Sequence, residues 1–206
     1  MTARRRVKLD ERTRLPAAAA AVGAALTRHD IRAVLTGGAC ASVYTRGQYQ
    51  SRDMDFIVVR TTTQAQLDTA LGSIGFVRKG DRYLHPRLPF YVEFPRGPLA
   101  IGDDYRIRPA RRRLGRARVL MLSATDSCRD RLAAFYHWND RQSLEVAVEI
   151  AIAQQVSIAV IRRWSAAEGF RERFEQFLIE VRRARGQRRA RPRVSVMRSP
   201  RRRGFV

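Results

Sequence analysis

Apolar positions along this chain of 206 residues follow two regimes. As far as Leu122 they form short runs broken by turn residues. From Ser123 to about Arg185 they recur at helical spacing, as in Leu132/Phe135/Tyr136, Leu144/Val148 and Phe170/Phe174/Phe177/Leu178. In the first regime, residues 16–28 suit a helix and Ile31 to Thr36 a buried strand that ends at Gly37-Gly38. Ala39 to Tyr44 suit a short helix, and Asp53 to Val59 a second strand rich in β-branched and aromatic residues. Leu67, Ala70, Leu71 and Ile74 set a helix over Thr61 to Ile74, stopped by Gly75. Phe76 to Lys79 and Arg82 to His85 flank Gly80-Asp81 as a hairpin; Phe90 to Phe94 and Val119 to Leu122 are further strands. Ser123-Ala-Thr-Asp126 has the form of a capping box opening the helical half. The expected class is therefore α+β: an α/β core over residues 1–122 with residues 1–15 frayed, a helical subdomain over 123–185, and a mobile basic tail over 186–206.

Composition adds a partner class. The formal charge is +22, and Lys8 and Lys79 are the only lysines, so arginine carries nearly all of it. Arg182 to Val206 holds eleven arginines and no acid, and Arg111-Arg112-Arg113 with Arg116 and Arg118 form a second cluster. Such blocks are solvated segments that can grip phosphates, although Arg-for-Lys usage with abundant Ala also follows from a GC-rich genome. Nucleic acid or a nucleotide is the favoured partner. No apolar stretch reaches the roughly 20 residues needed to cross a bilayer. The Ala-rich run Pro16 to Leu26, despite Arg4-Arg5-Arg6 upstream, reads as the first helix and not as a secretory signal, because Asp10 and Glu11 interrupt the basic region. Cys40 and Cys128 read as buried, reduced thiols of a cytoplasmic protein.

The candidate chemistry lies in three places. Gly37-Gly38 opens a helix, where glycine lets backbone N–H groups approach a ligand and the helix N-terminus favours phosphate. Asp53 and Asp55 alternate with Met54 and Phe56 in one strand, so both carboxylates project to one side, roughly 7 Å apart, and Met54 and Phe56 to the core. Glu93 interrupts an apolar strand; it is either paired with an arginine or aimed at a cation. Three such acids can hold Mg²⁺, which takes oxygen ligands and bridges carboxylates to phosphates, in a two-metal arrangement. Of the remaining groups, Lys79 is either a phosphate ligand or an exposed hairpin lysine. Asp103-Asp104 caps a loop or supplies an alternative third acid. His29 and His85 stand apart, and His137 and Trp138 are expected to pack the helical half against the sheet.

Leu35-Thr-Gly-Gly-Ala-Cys-Ala-Ser-Val-Tyr44, Gln50-Ser-Arg-Asp-Met-Asp-Phe56 and Phe90-Tyr-Val-Glu-Phe94 together resemble the polymerase-β-type nucleotidyltransferase superfamily. Within it, the nearest resemblance is to AbiEii-like abortive-infection enzymes, the type IV toxins, over residues 31 to 150. The resemblance implies a minimal nucleotidyltransferase mixed sheet flanked by helices. It implies that Asp53, Asp55 and Glu93 bind the metals carrying a nucleoside triphosphate, and that Gly37, Gly38 and Ser51 hold the triphosphate. Arg131-Leu-Ala-Ala134 stands where the toxins carry a phosphate-contacting Lys-Leu-x-Ala-like helix, which makes Arg131 a nucleotide-binding candidate. Gly38 replaces the Ser of many members. The implied activity is transfer of a nucleoside monophosphate to an RNA acceptor, plausibly tRNA, by a toxin with an antitoxin partner. The alternatives are a small-molecule, antibiotic-type nucleotidyltransferase with an acidic acceptor pocket, and a non-catalytic binding module.

Overall fold

A computed structural model describes residues 9–190. The chain is α+β. Among the described residues, seven strands form one mixed open sheet flanked by helices, and four helices follow at the C-terminal side. The first helix, α1 (Leu15–Arg28), leads into β1 (Ala33–Leu35), α2 (Gly37–Tyr44) and β2 (Asp53–Val58). Next come α3 (Gln64–Gly72), β3 (Val77–Lys79), β4 (Arg82–Leu84) and β5 (Tyr91–Glu93). The hairpin β6 (Ala110–Leu114) and β7 (Ala117–Met121) closes the sheet. Strand order is β3-β4-β5-β2-β1-β7-β6. Only β2–β5 and β1–β7 pair in parallel; the other neighbours are antiparallel.

Local chemistry explains several boundaries. Thr63 caps α3 in a reciprocal capping box with Gln66, so the helix starts three residues later than the apolar spacing alone suggests. Gly80, at φ +66, turns β3 into β4 with little steric cost. Gly23 of α1 lets that helix lie on β7: a Cβ there would stand 3.1 Å from both methyls of Val119.

The helical half comprises α4 (Ala124–Trp138), α5 (Arg141–Ala153), α6 (Ile158–Ala167) and α7 (Arg171–Ala190). Ser123, Asp140 and Ser157 cap the first three through their side chains. Tyr136 is stacked between Trp164 and Phe170, with ring centroids at 5.5 and 4.9 Å, and its hydroxyl meets Ser165 at 2.8 Å. Both halves share one hydrophobic core running from Leu9 to Val181. Tyr44 donates to the Leu122 carbonyl at 2.7 Å and Gln154 to the Tyr44 carbonyl at 2.8 Å, tying α2 to β7 and α5.

Four expectations are corrected. Leu9, placed in a frayed segment, is buried in the core, anchored by the Asp10–Thr13 turn behind it. Arg111 to Arg113, expected as a solvated charged block, are exposed but belong to a strand that was not expected, β6; an outermost strand leaves its side chains in water, so arginines are tolerated there. The helix expected to stop at Arg185 continues to Ala190, where Arg188 bonds Glu149 and Gln48. Residues 191–206 of the expected tail lie outside the described residues. Trp138 does not pack on the sheet: it is 78% exposed at the end of α4, and His137 meets Phe170 instead. Among the described residues, no helix is long and apolar enough to cross a membrane. Cys40 and Cys128 are buried and unpaired, and burial pushes the Cys40 thiol up to about 12.

Arg129 joins the helical half to the loop after β5. Only 4% of its side chain is exposed, yet it bonds Asp104 at 2.6 Å and Asp126 at 3.0 Å and lies 5.0 Å over the Trp164 ring. Removing it leaves Asp126 without its counter-charge and Asp104 with only the exposed Arg106, which outweighs the lost packing. Arg129→Leu is expected to cost about 3 kcal/mol and to lower the melting temperature by roughly 6–12 °C for a chain of this size. A thermal melt followed by circular dichroism checks this, and a change below about 2 °C would contradict the assigned role.

Candidate metal and nucleotide site

The parallel pairing of β2 with β5 sets the site. Its register places Asp53 opposite Tyr91, Met54 opposite Val92 and Asp55 opposite Glu93. Met54, Phe56 and Val92 are fully buried, which fixes the alternation and turns Asp53, Asp55 and Glu93 to the other side. One carboxylate oxygen from each of the three lies within 4.8 Å of the others, and this is the only such acidic group among the described residues. Asp103 and Asp104 take no part in it; Asp104 is held by Arg129 and by the Arg106 amide.

The crowding has an electrostatic signature. Burial, then the charges of Asp53 and Glu93, and more weakly that of Asp130, push the Asp55 carboxyl up to about 7, while Arg131 opposes the rise. Like charges this close favour protonation or a bound cation. The donor set is all oxygen and trianionic when ionised, which fits Mg²⁺ and does not fit a soft ion. Glu93 also takes the other option open from the sequence, since Arg82 Nε donates to its Oε1 at 2.7 Å.

The glycine pair closes the site from the side of α2. Gly37 has φ +61, and a Cβ on it would overlap a carboxylate oxygen of Asp55. Glycine is thus required both for the backbone angle and for the approach. Thr36, the residue before α2, makes no side-chain cap, whereas Thr63, Ser123, Asp140 and Ser157 each cap theirs. The first-turn N–H groups of α2 are therefore available to an anion beside the acids.

Ser51 explains why position 38 carries no hydroxyl. A Cβ on Gly38 would stand 2.5 Å from the Ser51 Oγ and 2.9 Å from its Cβ. The Ser51 hydroxyl fills that space and donates to Asp53. Arg131, on α4, interacts electrostatically with Asp55 and Tyr49 but is gripped by its neighbour Asp130, at 2.7 and 3.0 Å. Lys79 sits on β3, across β4 from Glu93, and exposed. His85 is buried against Phe76 and away from the acids, with burial holding its ring below the usual histidine range. Three neighbours had no role in the sequence reading: Tyr49, Arg82 and Asp130.

Comparison with known proteins found no matching family model, curated protein or solved structure.

Two outcomes are expected. Gly38→Ser should destabilise the fold and weaken the site through its collision with Ser51, and Gly38→Ser combined with Ser51→Gly should recover most of the loss; melting temperatures of the two variants decide it. The second outcome concerns pH. Raised from its ordinary 3.8 to about 7, Asp55 holds a proton in the folded chain that the unfolded chain releases. Its stabilising contribution is therefore present below about pH 4 and lost as pH rises through about 7. Without divalent ions, Asp55→Asn should melt roughly 2–5 °C above wild type at pH 8, with the gap closing towards pH 4. Wild type melting higher at pH 8 would overturn this.

Proposed function

We propose that the chain is a metal-dependent nucleotidyltransferase that moves a nucleoside monophosphate from a nucleoside triphosphate to an acceptor hydroxyl. The observation that carries this reading is the convergence of Asp53, Asp55 and Glu93 within 4.8 Å beside an uncapped, glycine-opened helix. A module built only to bind phosphate gains nothing from three acids at that point, because they repel it. The pairing of an anion-binding helix end with an acidic cluster makes sense when a cation bridges the two.

Mg²⁺ held by Asp53, Asp55 and Glu93 would neutralise the triphosphate charge. The first-turn amides of α2 take a terminal phosphate and fix the direction of the chain. Ser51 orients Asp53 through its hydroxyl. A carboxylate of the cluster would help take the proton from the acceptor hydroxyl. The acceptor oxygen then bonds to the α-phosphorus, the bond to the bridging oxygen breaks, and pyrophosphate leaves. The proton passes from the carboxylate to water.

RNA, of the tRNA kind, is the acceptor this reading favours. Arg111, Arg113, Arg116 and Arg118 are exposed and form no ion pair among the described residues, so they are free to meet a phosphate backbone. The type IV toxin role, with an antitoxin partner and a cytoplasmic setting, follows from the sequence resemblance. One observation favours the small-molecule alternative. A groove of about 950 Å³ between α5 and α7 is lined by Gln48, Gln142, Glu145 and Glu149, the last already paired with Arg188. Acids and amides suit an amine- or hydroxyl-rich acceptor better than a phosphate chain.

Incubating the protein with each labelled nucleoside triphosphate, Mg²⁺ and either total RNA or an aminoglycoside mixture separates the readings. Label should enter RNA with wild type, and fall at least about 100-fold with Asp53→Ala or Glu93→Gln, in line with loss of a charge-stabilising group. Label on the small acceptors alone would move the assignment to the second class. No incorporation into either would defeat the enzyme reading.

A further inference from the structure

Glu93 already has a cation. Arg82 Nε donates to its Oε1 at 2.7 Å, and the Arg82 guanidinium lies 4.8 Å over the Tyr91 ring. No side chain among the described residues donates to the other Glu93 oxygen. The registers place Lys79 opposite Arg82, Arg82 opposite Glu93, and Glu93 opposite Asp55. Directly paired residues project to the same side of a sheet. Two cations and two acids therefore form one row across four strands, with Arg82 one strand spacing from Glu93 and Lys79 two, at about 4.8 Å each.

The row has an order that ion pairing alone does not require. The acids lie at the α2 end, next to the uncapped amides, and the cations lie at the open edge. Arg82 is 52% exposed and Glu93 25%. An ion pair so open to water is weak and exchanges readily. Lys79 forms no ion pair among the described residues. A guanidinium is also a planar fork that matches phosphate oxygens at two points.

We propose that Arg82 is a stand-in cation: it holds the Glu93 carboxylate while no divalent ion is bound, and moves to a phosphate of the incoming triphosphate when the ion claims Glu93. Lys79 lies next to it and takes a further phosphate oxygen. The triphosphate then lies above the carboxylates beside the start of α2, and the long side chains of Arg82 and Lys79 reach it from the β3–β4 hairpin. This inference rests on the nucleotidyltransferase reading. It adds to that reading a phosphate-binding edge and an exchange of partners at Glu93.

The test uses the full chain and two probes, Mn²⁺ alone by calorimetry or electron paramagnetic resonance, and inorganic tripolyphosphate with Mg²⁺. Without its competitor, Glu93 in Arg82→Gln should bind Mn²⁺ about 2–5-fold more tightly than in wild type. Tripolyphosphate binding should weaken about 10-fold for the loss of a charge-assisted contact. Arg82→Lys, which keeps the charge without the fork, should lie between wild type and Arg82→Gln in tripolyphosphate binding, and it carries the test if Arg82→Gln fails to fold. Unchanged or weaker Mn²⁺ binding by a folded Arg82→Gln would overturn the exchange and leave Arg82 a structural partner. Wild type that binds Mn²⁺ no better than Asp53→Ala would instead defeat the metal site, and this inference with it.

Discussion

Three carboxylates repel one another, and the backbone ladder between β2 and β5 holds them together regardless. Each N–H···O=C bond in the parallel pair fixes the residue facing Asp55, and the buried Met54, Phe56 and Val92 lock the alternation so that neither strand can slip. A slip of one residue would turn an acid into the core, at a cost well above that of tolerating the repulsion. The apolar side of β2 thus supports the polar side. The glycine-opened helix, the serine at position 51 and the arginine on β4 are arranged around charges whose positions that pairing has set.

The same logic governs the helical half. Tyr136 between Trp164 and Phe170, and Arg129 between two aspartates, fasten α4 to α6 and to the loop after β5. That brings the start of α4 up to β7 and carries Asp130 and Arg131 close enough to Asp55 to be felt electrostatically. A site formed by two adjacent strands thus has a third wall from a helix distant in sequence, and the core is continuous between them.

Much of this was legible in the residues. Period-two alternation identified β2 and the side on which Asp53 and Asp55 project; helical spacing marked the stretches of α4, α5 and α7, and Ser123 the cap that opens them; the oddness of an acid inside Tyr91-Val92-Glu93-Phe94 marked the third carboxylate. The failures have physical causes. Three consecutive arginines obscured β6, because an outermost strand is shaped by its partner and not by its own polarity. Trp138 suggested burial by its type, but the left-handed residue Asn139 ends α4 there and leaves the ring in water. Cross-strand neighbours such as Arg82 required the register, which no local pattern encodes. Nor did local pattern show that Ser51 fills the space beside Gly38, a substitution of one hydroxyl's source for another.

The arginines of β6 have a consequence for the behaviour of the molecule in bulk. The outermost ladder of the sheet presents unpaired N–H and C=O groups, the usual template on which a second chain would add a strand. Two such borders brought face to face would place Arg111 to Arg113 of one molecule against the same triplet of the other, with no acid among them to relieve the contact. Self-association through that border is therefore opposed at ordinary ionic strength and becomes easier as salt screens the charges. The triplet of arginines thus guards this one border of the sheet against a copy of itself.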